Sequence, residues 1–490
     1  MTFPANRKEH AYKKFRRGAI ALSFLLVSMA SLARAQGEAS IWGVVTDASG
    51  GAIPGAAVEL QDLETSTVRD LVTDGTGRYD APLLSIGIYK VTARKAGFQT
   101  ESKTAITLVV GQRAEIDLTL PVTELRQTVT VTEQPPPVSV TTADFSGLVG
   151  EKQVKDLPLN GRSYDQLLTL NPGIVNYTSE RAGGIGTSNS VLGNMFAVSG
   201  HRPQENLYLL NGVEYTGASE INVTPGGASG QLLGVDAVRE FAVVTDTYGA
   251  EYGKRPGAQI NIVTASGTNQ LHGSAYEFLR NSAFDARNYF DEGPIPQFQR
   301  NEFGGSLGGP LQKDKTFLFG NYEGFRQHLG VSDVTFVPDA EARQGFVPGP
   351  NGTLTNIGVA ASVAPLLALW PEANGPDLGS GIAEAFSHPL QTIREDFGTA
   401  RLDRTFSDKD SFAGVYTIDD SFANTPTTDP LSLDIVTLRE QVASLSETHI
   451  FSPTVVNKAT FGFSRGGFYF TGQSLVDLAG SCPASQSAPS

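Results

Sequence analysis

Short stretches of alternating apolar and polar residues, separated by glycine and proline, occur along most of the chain. Between residues 38 and 120 they include ASIWGVVTD, AAVELQDLE, GRYDAPLL, GIYKVTARKAGF and QRAEIDLTL. A period of two is typical of half-buried β-strands, and Gly50-Gly51, Pro54-Gly55 and Asp74-Gly75 provide turns between them. Seven such stretches in a row predict a small β-sandwich.

The pattern changes between residues 141 and 266. Leu167, Leu168 and Leu170 cluster on one side of a predicted short helix, which Asn171-Pro172-Gly173 ends. Short apolar segments follow, in FAVSGHRPQENLYLLNGVEY and VDAVREFAVVTD. This mixture of one helix with several strands predicts an α+β unit.

Longer alternating segments begin at Asn269. In LHGSAYEFLRNS, KTFLFGNYEGFRQ and KDSFAGVYTIDD, one set of alternate positions is apolar or aromatic and the other is Gly, Ser, Asn, Arg or Glu. The many charged residues of the polar set favour a membrane barrel with a wet lumen over a soluble sandwich. Residues 331–392 are rich in Gly, Pro and Ala and are too many for a connection within a compact domain, so we predict a long external loop. Aromatic bands at the membrane interfaces are expected to include Phe317, Phe319, Tyr322, Phe325, Phe468, Tyr469 and Phe470.

Two of these units resemble known families. The order GVVTD, IPGAAV, TDGTGRY and a final GF resembles the carboxypeptidase-regulatory-like, transthyretin-like domain, an accessory β-sandwich of the carbohydrate-binding-like fold class. Residues 141–266 resemble the plug domain of TonB-dependent outer-membrane transporters. The plug motif positions that carry this resemblance are Arg202, Asn211, Gly212, Glu240, Gly253 and Asn261.

The segments NEFGGSLGGPLQKDKTFLFGNYEGFR and LDRTFSDKDSFAGVY resemble the first barrel segments of the Oar-like branch of these transporters. One position departs from the wider family. Thr245-Asp246-Thr247 stands where an arginine-rich run is usual, so the resemblance does not imply a siderophore as the substrate.

Together, the resemblances imply a mainly β chain in five parts. These are a signal peptide (1–35), a sandwich (36–120), a linker (121–140), an α+β plug (141–266) and the first strands of a transmembrane antiparallel β-barrel (267–490). Plugged transporters have 22 strands, whereas this chain has room for about seven or eight of the usual length. We therefore expect an incomplete barrel.

The implied function is active uptake of an unidentified extracellular ligand across the outer membrane of a Gram-negative cell. The implied partners are outer-membrane lipid and a TonB-type protein with its inner-membrane complex. That protein would pair with an extended segment before the plug, because main-chain hydrogen bonds along a free strand give affinity. The alternating run Thr128, Val129, Thr130, Val131 and Thr132 is the candidate. It is equally compatible with a last sandwich strand or a first plug strand.

Composition supports export. Six basic residues precede the apolar run Ala19–Ala30, and Ala33-Arg34-Ala35 fits a signal-peptidase site. Removal of residues 1–35 takes away seven Lys/Arg and one Asp/Glu, which leaves 30 basic and 50 acidic residues. Such an acidic chain makes nucleic acid an improbable partner. The lone Cys482 allows no internal disulfide, so stability must come from burial.

No catalytic constellation is present in the sequence. The six histidines are scattered, no zinc motif or nucleophile elbow occurs, and no phosphate-binding loop has the required Lys and Ser/Thr. We expect neither an enzyme nor a cofactor or metal. Two alternatives remain open: an outer-membrane structural or adhesion protein that uses the sandwich for surface or carbohydrate contact, and a soluble periplasmic fragment made of residues 36–266.

Overall fold

The computed structural model describes most of the chain from Ala39 to Leu475. The described residues are 39–122, 128–132, 145–176, 193–215, 225–246, 252–287, 289, 295–349, 351–427, 429, 431–452 and 455–475. The predicted signal peptide lies outside them. The chain is mainly β, as expected, with few short helices.

The first unit is a β-sandwich of two sheets. Their strand orders are β4-β1-β7, with β8 also on β1, and β3-β2-β5-β6-β9. Alternate residues face inward, so Ile41, Leu60, Val91 and Ile106 are at most 1% exposed. The strands are β1 (Ala39–Asp47), β2 (Ala57–Asp62), β3 (Val68–Val72), β4 (Arg78–Leu84), β5 (Gly87–Arg94), β6 (Thr100–Leu108), β7 (Arg113–Glu115), β8 (Leu118–Leu120) and β9 (Thr128–Thr132).

The second unit, which we call the middle unit (145–266), is α+β. Its five-stranded sheet has the order β10-β15-β16-β13-β14, and β11 pairs with β12. The predicted helix forms as a 3₁₀ helix over Tyr164–Leu170, after a 3₁₀ turn at Asn160–Arg162. Further 3₁₀ turns lie at Pro203–Glu205 and Val235–Ala237. The α-helix and strands are β10 (Phe145–Val149), α1 (Glu151–Asp156), β11 (Ile174–Asn176), β12 (Phe196–Val198), β13 (Leu207–Leu210), β14 (Val213–Glu214), β15 (Val238–Asp246) and β16 (Gln259–Thr264).

The third unit is a seven-stranded antiparallel sheet with the order β17-β18-β19-β25-β26-β27-β28. Its strands are β17 (His272–Asn281), β18 (Phe298–Gln312), β19 (Thr316–Gly330), β25 (Leu390–Ser407), β26 (Asp410–Pro426), β27 (Ser432–Ser452) and β28 (Val455–Ser474). The predicted loop, 331–392, contains secondary structure of its own: β20 (Asp333–Pro338), α2 (Ala340–Arg343), β21 (Phe346–Pro348), β22 (Leu354–Asn356), α3 (Ala364–Leu367), β23 (Asp377–Gly379) and β24 (Ile382–Ser387).

Every strand of this third sheet contacts the middle unit. The outermost strands do so through Ser274, which donates to Asp236 at 3.0 Å, and Gly462, where an added Cβ would lie 2.7 Å from Val213. Seven strands of a flat sheet would be about 29 Å wide at ~4.8 Å per strand. The middle unit therefore sits against the inner face of the sheet and reaches across its whole width.

The two faces of the sheet differ in chemistry. Directly paired positions on the outer face give an apolar row of Leu318, Leu402, Gly414, Leu445 and Phe461 across five strands. The inner face carries buried polar groups such as Glu323 and Glu395. The alternation expected of a barrel strand, apolar outside and polar inside, is therefore present.

The prediction of interfacial aromatic bands is wrong for three residues. Phe317, Phe319 and Phe325 are 2%, 2% and 1% exposed on the inner face. Phe319 and Phe325 belong to a core cluster with Leu233 of the middle unit, and Phe468 packs on the same cluster. Tyr322, Tyr469 and Phe470 are 45%, 70% and 53% exposed. The inner aromatics fill space between the sheet and the middle unit instead of contacting lipid.

Within the described residues, no helix has both the length and the apolar character needed to cross a membrane.

The sandwich core generates a test of stability. We expect Leu60→Ala to lower the free energy of unfolding of the sandwich by about 2–5 kcal/mol, because it removes buried methyl groups and leaves a cavity. Leu63→Ala is the matched control, since Leu63 is 44% exposed. Urea unfolding followed by Trp42 fluorescence in a Trp370→Phe background measures both, because the chain has only two tryptophans. Equal losses in the two variants would contradict the assigned core.

Candidate functional site

Four of the acidic side chains on the inner face of the third sheet are almost completely buried. We call Glu323, Glu395, Asp419 and Glu440 the wall acids; they lie on β19, β25, β26 and β27 and are 1%, 0%, 1% and 2% exposed. Asp419 is the direct cross-strand partner of Glu440. Buried carboxylates on directly paired positions of neighbouring strands repel one another and lose their hydration. They therefore need hydrogen-bond donors nearby.

Backbone N–H groups of the middle unit supply some of these donors. We call residues 225–237 the anchor loop. Gly234 N donates to Glu323 Oε2 at 3.0 Å, and Ser229 N donates to Glu395 Oε2 at 3.0 Å. Ala228 N donates to the hydroxyl of Ser421 on β26 at 2.7 Å. The wall thus holds the anchor loop through its main chain.

Two glycines permit this close approach. An added Cβ at Gly234 would lie 2.5 Å from the ring of Phe397, and its φ of +101° is one that other residues rarely adopt. An added Cβ at Gly227 would overlap the buried carboxylate of Glu395. A larger residue at either position would push the loop off the wall.

Arg162 adds a charged contact between the middle unit and the wall. Its Nε donates to Glu323 Oε1 at 2.9 Å and its Nη2 to Asp236 Oδ2 at 2.5 Å. The guanidinium also lies 3.8 Å from the centroid of the Tyr276 ring. Burial alone would lower the pKa of Arg162, but Glu323, Tyr276 and Asp236 outweigh it and raise that pKa. Arg162 therefore stays charged between two carboxylates.

A second junction joins the sandwich to the middle unit. Arg239 donates to Glu64 Oε2 at 2.7 Å, and the neighbouring Glu240 accepts from Val110 N at 2.5 Å. Asn269 N donates to the Glu64 carbonyl at 2.9 Å. Burial raises the pKa of Glu240 to about 7, although the Val110 N–H and Arg239 act in the opposite direction.

The predicted plug positions fall into two groups. Asn211, Gly212 and Asn261 lie where the middle unit faces the wall. The Asn211 side chain accepts from Thr264 N at 3.1 Å, and its carbonyl accepts from Ser444 Oγ of β27 at 3.4 Å. Asn211 and Gly212 form a tight turn with φ of +49° and +81°. Asn261 lies on β16, is 6% exposed and accepts from Gln259 at 3.1 Å.

The other predicted positions lie away from the wall. Arg202 and Gly253 are exposed, and Arg202 N donates to Glu205 at 3.1 Å. Glu240 belongs to the sandwich junction. The candidate coupling segment Thr128–Thr132 forms β9, which pairs in parallel with β6 from Thr100↔Thr128 to Thr104↔Thr132. The structure therefore places this segment in the last strand of the sandwich sheet, one of the alternatives that the sequence left open.

Sequence reasoning missed Arg162 and the wall acids. Arg162 and Glu323 are 161 positions apart, so no local spacing connects them. The sequence does contain a signal for the wall acids. In each of the four strands β19, β25, β26 and β27, an acidic residue occupies one of the alternate positions that face inward.

One triad in the described part of the chain has the geometry of a cation site. Asp410, Glu447 and His449 each place one ligand atom within 4.8 Å of the others. Glu447 is exposed and the other two are half-buried, and Asp410 already contacts Ser407 and His449. We assign no metal there.

The close packing of Gly234 generates a test. Gly234→Ala should destabilise the seated middle unit by about 1–3 kcal/mol, because of both the φ and the clash with Phe397. Gly253→Ala is the control, since a Cβ there meets nothing within 4 Å. The readout is the temperature at which trypsin begins to cleave the middle unit in detergent. The same temperature for both variants would show that the anchor loop does not rest on the wall.

The pKa of Glu240 generates a second test. The folded-state pKa of about 7 lies above the ordinary value of 4.5, so the docked form binds a proton more tightly. The contribution of Glu240 to docking of the sandwich is therefore fully present below pH 4.5 and is lost as the pH rises through about 7, by about 3 kcal/mol in total. Hydrogen exchange at the Val110 amide should accelerate across this window beyond its intrinsic pH dependence.

Glu240→Gln should remove that extra acceleration, while Glu115→Gln, at an exposed sandwich position, should leave it intact. If the Glu240→Gln protein keeps the wild-type profile, another group controls the junction.

Family models match two parts of the chain. Residues 40–121 match the carboxypeptidase regulatory-like domain, and residues 263–486 match an outer membrane beta barrel domain. These are the sandwich and the seven-stranded sheet.

The TonB-dependent transporter Oar of Myxococcus xanthus is 26% identical over 268 residues, which is 51% of this chain and 23% of that protein. The chain thus spans about a quarter of the relative's length. Among solved structures, the outer membrane transporter YddB of Escherichia coli is 12% identical, with a TM-score of 0.38, over 68% of this chain and 45% of its own. The siderophore receptor PirA of Acinetobacter baumannii is 16% identical, with a TM-score of 0.33, over 66% and 44%. The chain is therefore similar to the TonB-dependent transporter Oar, and it contains regions that match a carboxypeptidase regulatory-like domain and an outer membrane beta barrel domain.

Proposed function

We propose that this chain is part of an outer-membrane TonB-dependent transporter in which the middle unit is a plug that a TonB-type protein moves by pulling. The observation that carries the proposal is the seating of the middle unit on all seven strands of the sheet, through the anchor loop, Arg162 and Asn211. A unit that fills the inner face of a barrel wall closes the lumen. Transport then requires that it move.

The outer face of the sheet supports a position in the membrane. Beyond the apolar row, the same face carries ion pairs that join Arg326 to Asp396 at 2.6 Å and Arg394 and Arg439 to Asp420 at 2.8 and 2.7 Å. Eight residues separate Leu318 from Arg326 on β19, about 27 Å of strand. Since barrel strands are tilted, the height between the apolar row and these pairs is smaller than that length, and the pairs fit a polar end of the lipid-facing band.

The chain order supports pulling. β9 is followed by residues 133–144 and then by β10, which is the edge strand of the plug sheet and pairs only with β15 among the described strands. Tension on β9 would reach β10 first and separate it from β15. Glu151, at the start of α1, follows β10 directly, so the displacement would continue into the plug.

The substrate stays unassigned, because the described lumen contacts are those that hold the plug. The acidic wall and the absence of any catalytic constellation in the sequence favour binding and passage over chemistry. Export by residues 1–35 and residence in the outer membrane are parts of the same proposal.

A labelling experiment tests it in the bacterium that carries the protein. Ser229 is 0% exposed and faces Glu395, so Ser229→Cys in a Cys482→Ser background places a thiol between plug and wall. We expect a membrane-impermeant maleimide to label it at least tenfold faster in energised cells than in cells treated with an uncoupler or lacking the TonB-type protein. Gly253→Cys, at an exposed plug position, controls for reagent access.

An adhesion protein needs no energy coupling. If the rate at position 229 is the same with and without the proton-motive force while Gly253→Cys labels normally, the transporter proposal fails and the structural alternative is favoured.

A further inference from the structure

The segment expected to bind the TonB-type protein is already part of another sheet. All five residues of β9 are in register with β6, from Thr100↔Thr128 to Thr104↔Thr132, and β9 forms the end of the order β3-β2-β5-β6-β9. A strand that is captured by edge pairing gives its main-chain groups to its partner. One edge of this strand is occupied over its whole length.

The sandwich that holds β9 is itself fixed to the plug. The contacts of Arg239 with Glu64 and of Val110 with Glu240 connect the two units. If a partner gripped β9 in place, tension would pass into the sandwich and its junction. The 12 residues 133–144 can span at most about 40 Å when fully extended, which limits how far β9 can move before tension reaches β10.

The pairing between β6 and β9 is also weak enough for another strand to replace β6. It comprises five parallel pairs, and parallel pairing is slightly weaker per residue than antiparallel pairing. The segment TVTVT contains no proline or charge that would block pairing with a different strand.

We propose that the sandwich is a clamp: β6 sequesters the coupling strand β9, and the TonB-type protein must displace β6 before force reaches the plug. This inference rests on the proposed function and adds a regulatory role for the sandwich. An accessory domain at this place sets how readily the transporter engages its energy source.

A reversible covalent lock tests the clamp in the full chain. Lys103 and Val131 are paired, and adjacent strands lie within the Cα separation that a disulfide spans. Lys103→Cys with Val131→Cys, in a Cys482→Ser background, should form the bond on oxidation. Lys103→Cys with Thr130→Cys is the control, because successive residues of a strand point to opposite faces.

The probe is the purified periplasmic domain of the TonB-type protein from the same bacterium. We expect its affinity for the oxidised Lys103–Val131 variant to fall at least tenfold, and to return after reduction. The Lys103–Thr130 variant should bind like wild type under both conditions.

Equal binding to the locked and the reduced protein would overturn the clamp and leave the transporter proposal standing. Failure of the Lys103–Val131 bond to form would also overturn it, because β9 would then not rest on β6. No binding to any form, wild type included, would overturn both the clamp and the assignment of Thr128–Thr132 as the coupling strand.

Discussion

The arrangement of plug and barrel depends on the hydrogen bonds that the buried wall acids accept from the plug main chain. A buried carboxylate without donors is costly, and the loss of one partner leaves the other uncompensated. Glu323 and Glu395 accept from Gly234 N and Ser229 N, which are themselves buried and would otherwise lack partners. Glu323 and Glu395 therefore satisfy these two N–H groups and are in turn partly compensated by them.

In the proposed transporter, this mutual dependence would allow the plug to be both tightly seated and movable. If the anchor loop moves away, water that enters the gap can hydrate the same carboxylates and N–H groups. The seated state therefore loses little hydrogen bonding on opening, provided that the lumen becomes wet. Arg162 favours the seated state over the displaced state. Its guanidinium bridges Glu323 of the wall and Asp236 of the plug only when the two surfaces are in contact.

The limits of prediction follow from the same strands. The period of two and the turn residues suffice for the sandwich and for the long strands, because burial on one face imposes that pattern. They do not show which face of β19 is the inner face, against the plug, and which is the outer face. One parity holds Phe317, Phe319 and Glu323, and the other holds Leu318 and Tyr322, so both sets are mixed. Only the plug on the inner side decides the question, and its contacts join residues that are more than 100 positions apart. The motif resemblance found Asn211 because a tight turn has a local signature, whereas a salt bridge between units has none.

The plug has one junction with the wall and another with the sandwich. These junctions differ in size and chemistry, and the difference predicts which of them opens first. The wall junction is buried and extends over several strands, and main-chain donors hold it. The sandwich junction is smaller and contains a carboxyl, Glu240, whose pKa of about 7 lies in the physiological range. The β6–β9 pairing is smaller still, with five residue pairs at a sheet edge. In a series of contacts under one tension, the smallest opens first. In the proposed mechanism, the sandwich therefore stands before the plug in the path of force, and its pairing with β9 sets the tension at which the plug is loaded.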